Sequence, residues 1–217
     1  TIRVWDVTDR FNVFEVPVDF DQDKAQFIAS VDSLKEYMAF NGEEFLVPEL
    51  IGPVENQNLH GYSSHELLIV YHPVFEEQAM RLAQFHSTRS NLSVLTVTPE
   101  QIYNEFSSGA PDAGAIRDFA RMLYERPDGD DRLRYLLLFG DGSYDNKSRN
   151  PDNTNFIPTF QSRESLKLAS SYVTDDFFGC FDIGEGSNGS GNVDIGIGRF
   201  PVSTPDQAKD IVDKIFH

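Results

Sequence analysis

The chain has 217 residues, of which 40% are hydrophobic, and this is enough apolar material for a buried core. Its 18 basic and 35 acidic residues give a formal net charge of −17, which argues against nucleic acid or an anionic membrane surface as a partner and leaves cationic partners and Ca²⁺ open. Cys180 is the single cysteine, so the sequence excludes an intramolecular disulfide framework. No apolar stretch is long enough for a membrane-spanning helix, so we expect no direct membrane insertion.

Residues 1–58 are predicted to form a short β-rich segment and a linker. Residues 2–7 and 14–18 alternate between apolar and polar side chains on either side of a turn, which predicts a hairpin. Further strands are predicted at 26–29, 35–40 and 44–47, with a turn at Asn41-Gly42. A few short strands are seldom stable on their own. We therefore expect this segment to be the end of an N-terminal β domain.

Residues 59–217 are predicted to form an α/β domain. Continuous apolar runs predict buried strands at 66–71, 92–97, 135–139 and 193–200. Apolar residues at helical spacing, with prolines at two starts, predict helices from Pro73, over 99–106, around 116–123 and from Pro205. Strands that alternate with helices predict a largely parallel sheet that is covered by helices on both faces.

The strand at 135–139 is followed directly by an acidic loop with the sequence GDGSYDN. Ligands and catalytic groups collect at the carboxyl edge of open α/β sheets, so Asp141, Ser143 and Asp145 are candidate site residues. Asp141 and Asp145, with Asp152 nearby, offer the hard oxygen ligands that Ca²⁺ prefers, although their spacing fits no EF-hand. The alternative is that these residues form a structured turn.

Ser143 and Cys180 are the two candidate nucleophiles in the sequence. Ser143 superficially resembles the nucleophile of GDSL esterases, but Gly142 intervenes, and Asp213 with His217 has the wrong spacing for the Asp-x-x-His of that class. Cys180 lies among phenylalanines, which favours a buried and inert thiol over a nucleophile. A histidine distant in sequence could still reach it, and His60-Gly61 mimics a protease dipeptide but lies in the predicted linker.

Several short motifs occur in a fixed order along nearly the whole chain. They are Val4-Trp5-Asp6-Val7-Thr8, Leu68-Ile69-Val70, His72-Pro73, Ile102-Tyr103-Asn104-Glu105-Phe106, Ser108-Gly109, Pro111-Asp112, Ala115-Ile116-Arg117, LLLFGDGSYD at 136–145, Ile157-Pro158, Thr174-Asp175-Asp176 and Ile197-Gly198-Arg199-Phe200-Pro201. This ordered set resembles the gingipain-type cysteine peptidases of family C25, and within that family the surface sortases of type IX secretion.

The resemblance implies a caspase-like, largely parallel α/β sheet after a β-rich segment, and a cysteine-type endopeptidase or transpeptidase that needs no cofactor. It places the His-Cys dyad beyond His217, so no catalytic residue is expected here and this piece alone is expected to be inactive. Asp175 matches the family position that pairs a basic substrate side chain in the trypsin-like gingipains, and Thr174 and Asp176 flank it.

The resemblance also implies partners and a location. The expected substrates are secreted proteins with C-terminal secretion signals, which are cut and transferred to a surface amine, and the expected partners include other surface subunits of the secretion system. The implied location is the cell surface, on the extracellular face of the outer membrane. The competing hypothesis is a non-enzymatic interaction domain that calcium stabilises, because a peptidase-like domain can lose its dyad and still bind partners.

Overall fold

The computed structural model describes residues 2–22, 24–41, 45–50, 52–162, 166–167, 169–186 and 191–216. The chain divides into two compact units, residues 1–55 and 56–217.

The first unit is a small antiparallel β structure. Strand β1 (Ile2–Asp6) lies between β2 (Phe14–Val16) and β5 (Tyr37–Asn41), and β3 (Asp19–Asp21) pairs with β4 (Lys24–Gln26). Val4 lies opposite Val16, and both are buried, so the predicted hairpin of the first two strands is confirmed.

Two strand predictions in this unit were wrong. The chain leaves the strand conformation after Gln26, and Ile28 is 95% exposed. Residues 45–47 form no strand, and Leu46 is fully exposed. Apolar residues alone do not make a strand, because a strand also needs a neighbouring edge to pair with. The predicted turn residue Gly42 and the first residue of the predicted strand at 44 lie outside the described residues.

The second unit is built on a parallel sheet with the spatial order β11-β8-β6-β7. Its strands are β6 (Leu67–Tyr71), β7 (Val94–Val97), β8 (Tyr135–Phe139) and β11 (Gly196–Phe200). A separate antiparallel pair consists of β9 (Phe160–Gln161) and β10 (Val173–Thr174). β8 has the predicted bounds, and the other three strands start one to three residues later than predicted. The number of strands, their order along the chain and their parallel pairing are as predicted.

Helices cover the sheet on both faces, as predicted. They are α1 (Glu76–Arg89), α2 (Pro99–Phe106), α3 (Ala113–Glu125) and α4 (Pro205–Phe216). Side chains of β6 alternate between the two faces, so Leu68 and Val70 pack with α2 and α3, whereas Leu67 and Ile69 pack with α1 and α4. Because both faces of β6 are buried, the strand carries no polar alternation in its sequence.

Helix α2 begins where its sequence dictates. The Thr98 side chain accepts a hydrogen bond from the Gln101 amide, and the Gln101 side chain accepts one from the Thr98 amide, which is a capping box. Pro99 occupies the first helical position, where its missing N–H is not needed.

None of the helices in the described part of the chain is long and apolar enough to cross a membrane.

Candidate carboxyl-edge cleft

Asp141 organises the loop that follows β8. Its Oδ1 accepts a hydrogen bond from the Gly142 amide at 2.9 Å, and its Oδ2 accepts bonds from the hydroxyls of Thr154 at 2.6 Å and Ser203 at 3.3 Å. The Asp141 carbonyl accepts two further bonds, from the Phe156 and Ile157 amides. Both carboxylate oxygens of Asp141 are therefore engaged in holding the loop.

Ser143 and Asp145 are engaged in the same way. The Ser143 hydroxyl accepts a bond from the Asp145 amide at 3.1 Å, and the Asp145 carboxylate accepts one from the Asn150 amide at 2.9 Å. No group of three or more His, Cys, Asp or Glu side chains that could hold a metal occurs among the described residues. These residues fit the alternative of a hydrogen-bonded turn better than a calcium cage, and the calcium site that the sequence suggests stays an untested hypothesis.

Asp213, the residue considered as an esterase partner of Ser143, forms hydrogen bonds with other side chains. Asp213 lies on α4, where it accepts bonds from Arg81 at 2.7 Å and from Lys209 at 2.5 Å. His217 lies outside the described residues.

Asp175 lies between β10 and a short 3-10 helix, Asp176–Gly179. Thr174 pairs with Phe160 of β9, and the Thr174 hydroxyl accepts a bond from the Asp176 amide at 3.1 Å. Both Asp175 oxygens accept bonds from Arg199 of β11, at 2.8 and 2.7 Å. The structure thus brings the three predicted substrate-binding residues to the carboxyl edge, with Asp175 already paired.

A cavity of about 420 Å³ opens at this edge of the sheet. Its lining includes His72 after β6, Glu100 and Tyr103 of α2, Asp112 at the start of α3, and Thr159. Among the described residues, neither lysine nor arginine lines the cavity, and the charged side chains in the lining are acidic. A polar cavity with acidic walls suits the polar backbone or a cationic group of a ligand better than an anion.

Burial and charge shape the titratable groups of the cavity. Burial raises the pKa of the Tyr103 hydroxyl, and the nearby carboxylates of Glu100 and Asp112 raise that pKa further. Burial lowers the pKa of His72, and the negative charge of Glu100 offsets only part of that shift in pKa. The His72 Nδ1 accepts a bond from the Val74 amide at 3.3 Å, which leaves Nε2 to carry the proton of the neutral ring.

Cys180 is buried, with 3% of its surface exposed, and this confirms the predicted burial. Its thiol donates a hydrogen bond to the Asp176 carbonyl at 3.3 Å. Burial raises the pKa of the Cys180 thiol, and the charge of Glu185 raises that pKa further. A protonated, buried thiol is a poor nucleophile, which agrees with an inert Cys180, and that role stays a prediction.

His60 is held by a carboxylate of α2. The Glu105 side chain accepts bonds from the His60 ring at 2.7 Å, from the amides of Leu59 and His60, and from the Gln57 side chain. The His60 ring also stacks on Phe106, with 4.4 Å between the ring centres. These contacts fasten residues 57–60 onto α2, so the His60-Gly61 dipeptide has a structural role here.

Sequence reasoning missed Arg199 and His72 as members of this edge. The signal for Arg199 was a charged residue inside a strand that the sequence predicts to be buried, since a buried charge needs partners. The signal for His72 was its place directly after a buried strand, at the same edge as the Asp141 loop.

Comparisons with known proteins point to the same peptidase family as the sequence motifs. The model of the family described as Peptidase family C25 matches residues 61–217. The crystal structure of dimeric latent PorU from Porphyromonas gingivalis is similar to this chain, with a TM-score of 0.78 and 37% sequence identity. The alignment covers 99% of this chain and 22% of the PorU chain, so the chain spans about a fifth of that protein's length. None of the curated proteins matches the sequence.

The structural match also confirms the gingipain-like, caspase-like architecture that the resemblance implied. The family model covers more than half of the chain, and the similarity to PorU extends over almost all of it. The chain belongs to peptidase family C25.

Proposed function

We propose that this chain is part of a cell-surface cysteine peptidase that works as a sortase. The observation behind the proposal is the 37% identity to PorU over 99% of the chain, together with membership of peptidase family C25. On this proposal the protein acts at the extracellular face of the outer membrane, with other secretion-system subunits as partners. Its substrates are secreted proteins with a C-terminal secretion signal.

The proposed reaction is acyl transfer through a thioester. A cysteine thiolate attacks the carbonyl carbon of the scissile bond, the signal domain leaves as an amine that takes a proton from the histidine, and a thioester remains. An acceptor amine then attacks the thioester, an amide forms, the thiolate is regenerated, and the histidine takes the proton released by the amine. On this proposal the dyad lies outside residues 1–217, as the resemblance to family C25 implies, and the buried Cys180, whose thiol is bonded to a backbone carbonyl, is not its nucleophile.

The described residues would supply one wall of the substrate cleft. Thr174, Asp175 and Asp176 lie at the carboxyl edge, and Thr174 is paired with Phe160, which lines the 420 Å³ cavity. The polar cavity beside this segment has room for several side-chain or backbone groups of an extended peptide.

The test uses the full-length protein, a cargo protein with its C-terminal signal, and a soluble primary amine. We expect release of the signal domain and a processed cargo whose mass exceeds that of the hydrolysed cargo by the mass of the amine less one water. Cys180→Ala should retain at least about half of the activity, since that thiol is structural. Hydrolysed cargo without amine would reduce the proposal to a peptidase, and absence of cleavage by the wild type would refute it.

A further inference from the structure

Arg199 uses every N–H group of its guanidinium. Nε and one N–H of Nη2 donate to Asp175, the two N–H groups of Nη1 donate to the carbonyls of Gly140 at 3.0 Å and Ile157 at 2.9 Å, and Nη2 also donates to the Pro158 carbonyl at 3.1 Å. We call this set the Arg199 network. The Arg199 side chain is only 10% exposed, so water contributes little to these hydrogen bonds.

The loop above Arg199 is built to pack tightly on it. A Cβ atom at Gly142 would lie 3.1 Å from Nη1 of Arg199, 2.8 Å from the Ile157 carbonyl oxygen and 2.6 Å from Cγ2 of Thr159. A side chain at Gly142 would therefore push the loop away from Arg199. The network and the glycine together fix the end of β8 and the 157–158 segment relative to Asp175.

The Asp175 carboxylate is neutralised inside this network. Its two oxygens face the planar fork of Arg199, and its side chain is 27% exposed. A basic substrate side chain that approached Asp175 would meet a neutral pair, and the positive charge of Arg199 would cancel most of the attraction. Displacing Arg199 would leave a buried arginine and several carbonyls without partners.

We propose that Asp175 is a positioning residue whose charge is masked by Arg199, so that it does not select a basic side chain at the cleaved bond. This inference rests on the proposed peptidase function and refines it. In place of a counter-ion for substrate, Asp175 anchors the Thr174–Asp176 segment to β11. Selection at the cleaved bond then depends on the other groups of the cleft.

The test compares two peptides that differ only in lysine or glutamine before the cleaved bond, with the full-length protein. For Asp175→Asn we expect the ratio of kcat/KM for the two peptides to change less than about threefold, while the Tm falls by about 5 °C or more because the arginine loses its charged partner. For Arg199→Gln the carboxylate is unmasked, and the preference for lysine should rise at least about tenfold. A merely structural role of the pair would not produce that gain.

Two further variants act as controls. Arg199→Lys keeps the positive charge but loses the fork, so the Tm should fall with no gain in lysine preference. Arg134→Gln removes an arginine that is 58% exposed and paired with Glu66 at the opposite end of the sheet, so both the ratio and the Tm should stay near wild type. If Asp175→Asn lowers the lysine preference about 30-fold or more with an unchanged Tm, Asp175 is the counter-ion of the substrate and the inference is wrong.

Failure of the proposed function would look different. If the wild type cleaves neither peptide nor cargo, the peptidase proposal fails, but the Tm values still test the network. The double variant Asp175→Asn/Arg199→Gln should then melt no lower than the less stable single variant, because both changes disrupt one interaction. Additive decreases in Tm would show that the two residues act independently and would overturn the positioning role.

Discussion

Glu105 shows how one carboxylate can hold a connecting segment. Burial opposes the ionisation of Glu105, but hydrogen bonds from the Leu59 amide, His60 and Gln57 outweigh it and lower the pKa of Glu105 to about 2. The side chain is 16% exposed, so its bonds are largely shielded from water. The ionised form is therefore the one that fastens residues 57–60 to α2.

This makes the stability of that contact depend on pH. A carboxyl group whose pKa is lowered on folding stabilises the fold above its ordinary pKa near 4.5, and the effect disappears as the pH falls from there to about 2. We expect Glu105→Gln to lower the free energy of unfolding at pH 7 by about 1–2 kcal/mol. The difference in unfolding free energy from wild type should shrink below pH 4 in urea titrations. The control is Glu125→Gln, which removes an exposed ion pair with Arg121 on α3.

A constant difference between pH 7 and pH 3 would contradict this account. It would mean that Glu105 contributes through its size and packing and that its charge is not used.

Gly142 offers a second test at the scale of one residue. Its added Cβ would lie 2.6 Å from Thr159 and 2.8 Å from the Ile157 carbonyl, and the carbonyl cannot move freely because it is bonded to Arg199. We expect Gly142→Ala to destabilise the protein by about 1–3 kcal/mol in chemical denaturation. The matched control is Gly198→Ala on β11, whose added Cβ meets only Leu137, at 3.9 Å. Equal losses in the two variants would show that the loss of glycine alone, and not crowding, is the cause.

At the scale of elements, the clearest sequence signals were local ones. The bounds predicted for helix α2 are confirmed, and the structure shows that Thr98, Pro99 and Gln101 specify its start within a few positions. The strand predicted at 26–29 was wrong, because pairing depends on a partner strand that the local pattern does not identify. The Arg199 network could not be predicted, because its carbonyl acceptors are backbone groups whose positions follow only from the folded loops.

The cap of α2 gives a prediction at this scale. Thr98→Ala removes the side-chain acceptor of the Gln101 amide, and we expect a loss of about 1 kcal/mol in the free energy of unfolding. Thr88→Ala on α1 is the control, since that hydroxyl bonds only to carbonyls of its own helix. If the two substitutions lower the free energy of unfolding equally, the capping box does not stabilise the helix as a cap.

At the scale of the whole molecule, the net charge of −17 makes cation binding an obvious hypothesis, and calcium is the cation that the sequence suggests. A site with calcium present at about 100 times its Kd would stabilise the protein by about 2.7 kcal/mol. We nevertheless expect the Tm in about 1 mM Ca²⁺ to equal that in chelator, because Asp141 and Asp145 are already bonded to the loop. A rise of several degrees with Ca²⁺ but not with Mg²⁺ would establish the calcium ion and overturn this expectation.

The sequence separations between Arg199 and its hydrogen-bond partners bear on how the fold assembles. Its four partner residues lie 24, 41, 42 and 59 positions away along the chain, so none of its bonds can form until long loops have closed. The pairing of β8 with β11, which brings Arg199 beside the end of β8, spans 61 positions and is at least as non-local as these bonds. The proposed cleft wall therefore depends on the pairing of β8 with β11, and a chain that has formed only its local helices would lack it.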